Sequence, residues 1–443
     1  MTPDTNHQNG RAAAAGRQVR GRAAAPGKAR REPVATRVPL FRPTIHRRQM
    51  HAVLECLVSE DIGPGPITKQ LTGELAAALD CRGGLALADY QAAAAAALYL
   101  ATETAAGGED SAPGGPRPVL LSALVPLTYV YAARGAGLHP LLVDVDPETG
   151  ALDGESLQRM LAHRPCALVI GHALGASEPL DEVRAAGVPI VEDISAALPG
   201  MVPEPAGPAP GNAARAGATG AADGGADQTP GKPPESAPVR APVGDVLVIG
   251  LQAPGVLVAG GGLALARSPR GRRLLAGCRT RFGWAELADV NAALALAQWH
   301  DLAAGRRRCA DLAARFRDAV ARSRHRTLAP AAAPGTLFPV VVEDGLRAVQ
   351  RYATRHHVEA RLGCEGAAIT GLLPAEGDQA DGGQPPAAPA PADPPADPPA
   401  GAAAEERLTG AQELARRCLL FPLYPELRDA QAGQVARVLA TLP

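Results

Sequence analysis

The chain has 443 residues and a net charge of −1, with 46% hydrophobic but only 3% aromatic residues. That apolar share supports a packed core and excludes a wholly disordered chain. No run of about 18 apolar residues is free of Gly, Pro or charge, and the first residues hold no apolar stretch, so neither a membrane span nor a secretory signal is expected and the cytoplasm is the default location. Of 44 basic residues all but three are arginine, the exceptions being Lys28, Lys69 and Lys232. Any chemistry that requires a lysine therefore has three candidates.

The first 36 residues are Arg, Ala and Gly with almost no large apolar side chain. This arm is basic, but no aromatic residue interleaves with the charges before Phe41, so a solvated tail is expected and nucleic acid is not the expected partner. Short apolar runs then read as buried strands over Gly84–Ala88, Val119–Ala123, Pro140–Val145, Ala167–Gly171, Val188–Val191, Asp245–Gly250 and Gly262–Ala266. Helical stretches alternate with them at Gln91–Thr104, Tyr129–Ala136, Glu155–Leu161 and Leu180–Ala186. This alternation predicts an α/β fold with a mainly parallel sheet covered on both faces. Two tracts, 203–241 and 375–406, are rich in Pro, Gly, Ala and Asp and read as insertions. A long helix over about Ala285–Arg324 leads to a second unit with a strand (Leu337–Val342), a helix (Leu346–His357) and a last helix (Asp429–Ala440). The expected division is a tail (1–36), a large domain (37–324) and a small C-terminal domain (325–443). Asp144, His172 and Asp193 fall at the carboxyl ends of strands, where such sheets place ligands. The seven cysteines show no metal-ligand spacing and read as reduced thiols, mostly buried; His356 and His357 read as solvated.

Several segments, in order, resemble the DegT/DnrJ/StrS-type nucleotide-sugar aminotransferases, which use pyridoxal phosphate (PLP). VPLFRPTI from Val38 is similar to the family's entry segment, and SEDIGPGPIT from Ser59 to its T-G-P turn. HPLLVDVDPETGALD from His139, VIGHALG and GVPIVEDISAA resemble its central strands and turns. DVNAALALAQW and LLFPLYPEL resemble its later helix and strand. The resemblance implies the PLP-dependent transferase fold type I: a large domain with a mainly parallel seven-stranded sheet and a small C-terminal α/β domain. It also implies a dimer with the active sites at the subunit interface.

PLP chemistry needs a lysine for the aldimine, a carboxylate facing the ring nitrogen and a helix N-terminus for the phosphate. The resemblance places the lysine within GLQAPGVLVAGGGLAL, where the matching residue is Gly255; Gly250 stands at the family's serine and Gly261 at its glutamate. Glycine offers neither nucleophile nor base. None of the three lysines substitutes: Lys28 lies in the basic tail, Lys232 in an insertion, and Lys69 at the start of an exposed helix. The phosphate-binding loop aligns with Ala88-Asp89-Tyr90-Gln91-Ala92-Ala93, where Asp89 would repel a phosphate. The ring-stacking aromatic aligns with Pro126, the glutamine after the pyridinium aspartate with Ala196, and the partner subunit's asparagine with Trp284. Asp193 survives, either as a pyridinium partner or as a structural carboxylate at a strand end. His172 could line the pocket or serve as a satisfied structural histidine. Gly260-Gly261-Gly262 opens a strand and reads as a tight turn.

These residues point to a relative that has lost transamination, takes no cofactor, and acts as a non-catalytic partner in a homodimer or in a heterodimer with an active paralogue, or as a binder of a nucleotide-sugar-like ligand. The alternative is an active aminotransferase or dehydratase using PLP or its amine form (PMP) on nucleotide sugars.

Overall fold

In chain order the elements are α1 (Arg47–Val58), α2 (Pro66–Ala78), β1 (Gly83–Leu87), α3 (Tyr90–Ala105), β2 (Pro118–Ser122), α4 (Thr128–Gly135), β3 (His139–Val143), α5 (Gly154–Leu161), β4 (Leu168–Gly171), α6 (Leu180–Ala185), β5 (Ile190–Asp193), α7 (Leu198–Met201), β6 (Val246–Gly250), β7 (Gly262–Ala266), α8 (Pro269–Phe282) and α9 (Asp289–Val320). The C-terminal part adds β8 (Leu337–Val341), α10 (Leu346–Arg355), β9 (Arg361–Leu362), α11 (Thr409–Arg417), β10 (Cys418–Pro422) and α12 (Asp429–Ala440). This computed structural model describes residues 37–43, 45–105, 116–175, 178, 180–202, 241–328, 335–371 and 408–443. The tail over 1–36, Lys28, Lys232 and nearly all of the two Pro/Gly-rich tracts lie outside the described residues.

Seven strands form one sheet in the order β1-β7-β6-β5-β4-β2-β3. Strands β3, β2, β4, β5 and β6 are mutually parallel; β7 runs antiparallel to both β6 and β1. The mainly parallel sheet expected from the alternating pattern, with the seven strands that the resemblance implies, is therefore present. Its central strands are buried along their whole length, which is why they read as unbroken apolar runs. On one face Ala93, Ala94, Ala96 and Ala97 of α3 pack with Tyr129 of α4 and with Val169, Val191 and Val248 of the sheet. The small alanines let α3 lie close: a Cβ built on Gly262 of β7 would stand 2.9 Å from that of Ala93. The opposite face carries Leu71 and Leu75 of α2 with Ala292, Ala295 and Leu296 of α9.

A second, three-stranded antiparallel sheet has the order β8-β10-β9 and its own core of Phe338, Val340, Leu419, Phe421, Val435 and Leu439. The 32-residue helix α9, about 48 Å long at 1.5 Å per residue, ties the two cores together. Ala292 and Leu296 at its start belong to the large sheet's core, and Leu312, Phe316 and Val320 near its end to the small one.

Three buried carboxylates fix the chain where local caps are missing. Asp289 accepts from the backbone N–H groups of Gly65 (3.0 Å), Ile67 (3.0 Å) and Thr68 (2.8 Å), capping α2, whose own N-cap is Gly65. Asp144 accepts from Gly410 (3.0 Å) and Ala411 (2.9 Å) at the head of α11. Glu192 accepts from Val243 and Gly244, both at 2.6 Å, just before β6. The latter two act where the described chain resumes after each Pro/Gly-rich tract.

Candidate functional site

The end of β5 carries the acidic pair Glu192 and Asp193. Neighbours along a strand face opposite sides of a sheet, so the two carboxylates part company. Asp193 turns toward α3 and α4 and is 4% exposed. Its Oδ1 accepts from the Ser195 backbone N–H (2.9 Å) and the Ser195 hydroxyl (2.5 Å). Its Oδ2 accepts from the hydroxyls of Tyr90, the first residue of α3, and of Tyr129 on α4 (2.8 Å). A carboxylate offers about four lone-pair sites, and all four are taken here. Ser195 Oγ in turn accepts from Gly250 N at 2.7 Å, tying the end of β5 to the end of β6.

The two tyrosines are buried and meet edge to face, with centroids 6.3 Å apart at 86°. Burial pushes both phenols well above their ordinary pKa, and the Asp193 charge adds to the shift. Both remain protonated donors at neutral pH.

His172 does not join this group. Its Nε2 lies 2.9 Å from Glu192 Oε1, and both side chains are buried. Because Glu192 faces away from Asp193, His172 serves as a structural partner on the other side of the sheet and does not line a pocket over Asp193. Burial alone would raise the Glu192 pKa; the hydrogen bond from His172, its charge, and the N–H groups of Gly244 and Val243 outweigh this and hold it below the usual value.

The segment expected to hold phosphate is also self-contained. Asp89 Oδ1 accepts from the backbone N–H groups of Gln91 (2.7 Å) and Ala92 (3.2 Å), so the head of α3 is capped by its own carboxylate. The Gln91 side chain is exposed and Tyr90 points into the core, so the two loop candidates separate. Pro126 bridges to Ala367, Ala196 is half-buried, and Trp284 stands 83% exposed. Lys69 lies on the surface of α2, as expected.

Gly255 sits in a tight turn: its N–H donates to the Gln252 carbonyl at 2.8 Å. A Cβ there would stand 2.7 Å from that same carbonyl oxygen, closer than side chains approach a backbone oxygen. At Gly250 a Cβ would come within 3.2 Å of the Tyr90 ring and of Ser195 Oγ. Gly260 and Gly261 adopt φ of +82° and +96°, forming the tight turn into β7 that the glycine run predicts. A Cβ at position 255 would thus crowd its turn, the Asp193 oxygens accept from protein donors, and the Gln91 and Ala92 N–H groups at the head of α3 are bonded to Asp89.

Among the described residues no group of three or more His, Cys, Asp and Glu is placed to hold a metal ion. All seven cysteines are free, and five are buried.

Comparison with known proteins shows what part of the chain is similar to. The sequence model of the DegT/DnrJ/EryC1/StrS aminotransferase family matches residues 43–218, a stretch that carries β1 to β5 together with Tyr90, Tyr129 and Asp193. The resemblance read from the sequence motifs is thereby shown. Solved structures share the fold over almost the whole chain. The aminotransferase TlmJ from Streptoalloteichus hindustanus aligns with a TM-score of 0.64 at 22% identity, covering 90% of this chain and 97% of that one. The sugar aminotransferase CalS13 from Micromonospora echinospora gives 0.63 at 18% identity, covering 91% and 99%. Helicobacter pylori PseC, an aminotransferase involved in the biosynthesis of pseudoaminic acid, gives 0.65 at 13% identity, covering 91% and 98%. At these identities the likeness is one of fold: the PLP-dependent transferase fold type I.

Proposed function

We propose that this chain is a sugar-aminotransferase relative that does not transaminate, and that it acts as a non-catalytic partner or ligand-binding subunit in sugar or secondary-metabolite biosynthesis. The observation that carries the reading is Gly255. The position that aligns with the aldimine lysine has no side chain, and a Cβ there would stand 2.7 Å from the Gln252 carbonyl. Lys69, the one lysine among the described residues, is exposed on α2. The competing reading, an active PLP- or PMP-dependent enzyme, rests on Asp193, whose oxygens are already engaged by protein donors.

A partner role is supported by α1. Its inward residues are Gln49 and Cys56, and Gln49 bonds to Asp301 of α9 at 3.0 Å. Its outward side carries Met50, Leu54, Leu57 and Val58, exposed by 47 to 83%. Spaced i, i+4, i+7 and i+8, these form a continuous apolar stripe. Such a stripe favours a covering chain, either a second copy or a paralogue.

The test is spectroscopic. Protein incubated with PLP is expected to show no protein-bound aldimine band, and borohydride is expected to fix no cofactor to the chain. A reducible band mapping to a lysine would overturn the reading.

A further inference from the structure

We propose that Tyr90 and Asp89 are a built-in occupant of the pocket floored by Asp193, and that Tyr90 and Gly250 form a matched pair which keeps this occupant in place. The inference deepens the non-catalytic reading and rests on it: the pocket is filled by the chain itself, not simply missing a lysine. Two parts of a phosphorylated aromatic base are replaced. Where a protonated ring nitrogen would face Asp193, the Tyr90 hydroxyl donates to Oδ2 instead. Where a phosphate dianion would take N–H groups at the head of α3, the Asp89 carboxylate takes those of Gln91 and Ala92. An incoming ligand of this class must displace a phenol from a saturated carboxylate and bring a dianion against a carboxylate already in its place.

The Tyr90 ring packs closely over residue 250, where a glycine leaves it space. A Cβ on Gly250 would lie 3.2 Å from both Cδ2 and Cε2 of the ring. On its other side the ring is held edge-on by Tyr129 at 6.3 Å, so it cannot retreat without disturbing a fully buried neighbour. The bare backbone at 250, at the end of β6, and the ring at 90, at the head of α3, thus pack as a pair.

The pair and the occupant are tested together. In calorimetric titration with PMP, the wild-type chain should show no saturable binding. The folded double variant Asp89→Ser/Tyr90→Gly should bind PMP at least about tenfold more tightly than the wild type. Wild-type binding as tight as the variant's, or no binding by the folded variant, overturns the proposal. If the double variant fails to fold, Gly250→Ala decides: it should shift the near-ultraviolet dichroism of tyrosine and lower the melting temperature. A Gly250→Ala protein identical to wild type in both measurements overturns the matched pair. Wild type and double variant both keep Gly255, so a borohydride-reducible adduct in either counts against the loss of transamination, and PMP binding alone counts only for or against the occupant.

Discussion

Two phenols and a serine share one carboxylate at Asp193, and this shapes how the protein responds to alkali. Tyr90 and Tyr129 have pKa values raised well above the ordinary value of about 10, first by burial and then by the Asp193 charge. A raised folded pKa means that the protonated form is favoured in the native state. The stabilisation is complete below about pH 10 and is lost as pH rises from there through the folded values. Burial also pushes the thiols of Cys81, Cys278, Cys309 and Cys364 up to about 12, so they add a loss of the same sign. Tyr129→Phe separates the contributions. It should cost about 1–2 kcal/mol in urea unfolding at neutral pH and make the alkaline decline shallower than in wild type. Parallel wild-type and variant profiles would mean that the Tyr129 hydroxyl does not hold Asp193. Part of this cluster was legible in the sequence. Asp193 stands out in its motif, whereas Asp89 read only as a charge that would repel phosphate, and its capping of α3 was missed. The partnership of Asp193 with Tyr90 and Tyr129, 103 and 64 residues away, was not legible, because no local pattern encodes which side chains converge across a sheet. For the same reason the sequence leaves His172 two readings, pocket lining or structural histidine, because its Glu192 partner is set by strand alternation.

Among the elements, the sheet and the helices between its strands were readable, and helices α1 and α8 were not. Strands β6 and β7 are buried along their whole length, and their apolar runs mark them within a residue. Helix α8 carries Arg270, Arg272, Arg273, Arg279 and Arg281 with only Gly271, Leu275 and Cys278 buried, too thin an apolar stripe to stand out. Strand β10 was visible only as part of a motif, since LLFPLYPEL gives no alternation to separate a strand from a loop. Helix α1 is inverted, with its apolar stripe outward, so its pattern speaks about a neighbour and not about this chain's core. That gives a prediction at the level of the helix. By light scattering the wild-type protein should have the mass of an assembly larger than one chain. Leu54→Glu/Val58→Glu should reduce it to a monomer with unchanged circular dichroism, since both side chains already face outward. A monomeric wild type would show that the α1 stripe needs no cover.

Over the described residues the two cores and the seven-stranded sheet are complete, and the proposed self-filled pocket concerns the end of β5 alone. Helix α9 still joins two cores, and Asp144, Asp289 and Glu192 still hold backbone N–H groups that local sequence leaves uncapped. In none of the described helices is there an apolar stretch long enough to cross a membrane. The scarcity of lysine, a bulk feature of composition, takes on chemical meaning at one position only, because Gly255 stands in a turn that a Cβ would crowd. If side chains of this chain stand where a cofactor would, the site stays closed to an added one. The most direct measurement is a crystal structure of the wild-type protein soaked with PMP. The account predicts the Tyr90 hydroxyl hydrogen-bonded directly to Asp193, with Asp89 still capping α3 and no ligand density between them. Density for a pyridine ring against Asp193, with Tyr90 turned out of the pocket, would contradict it.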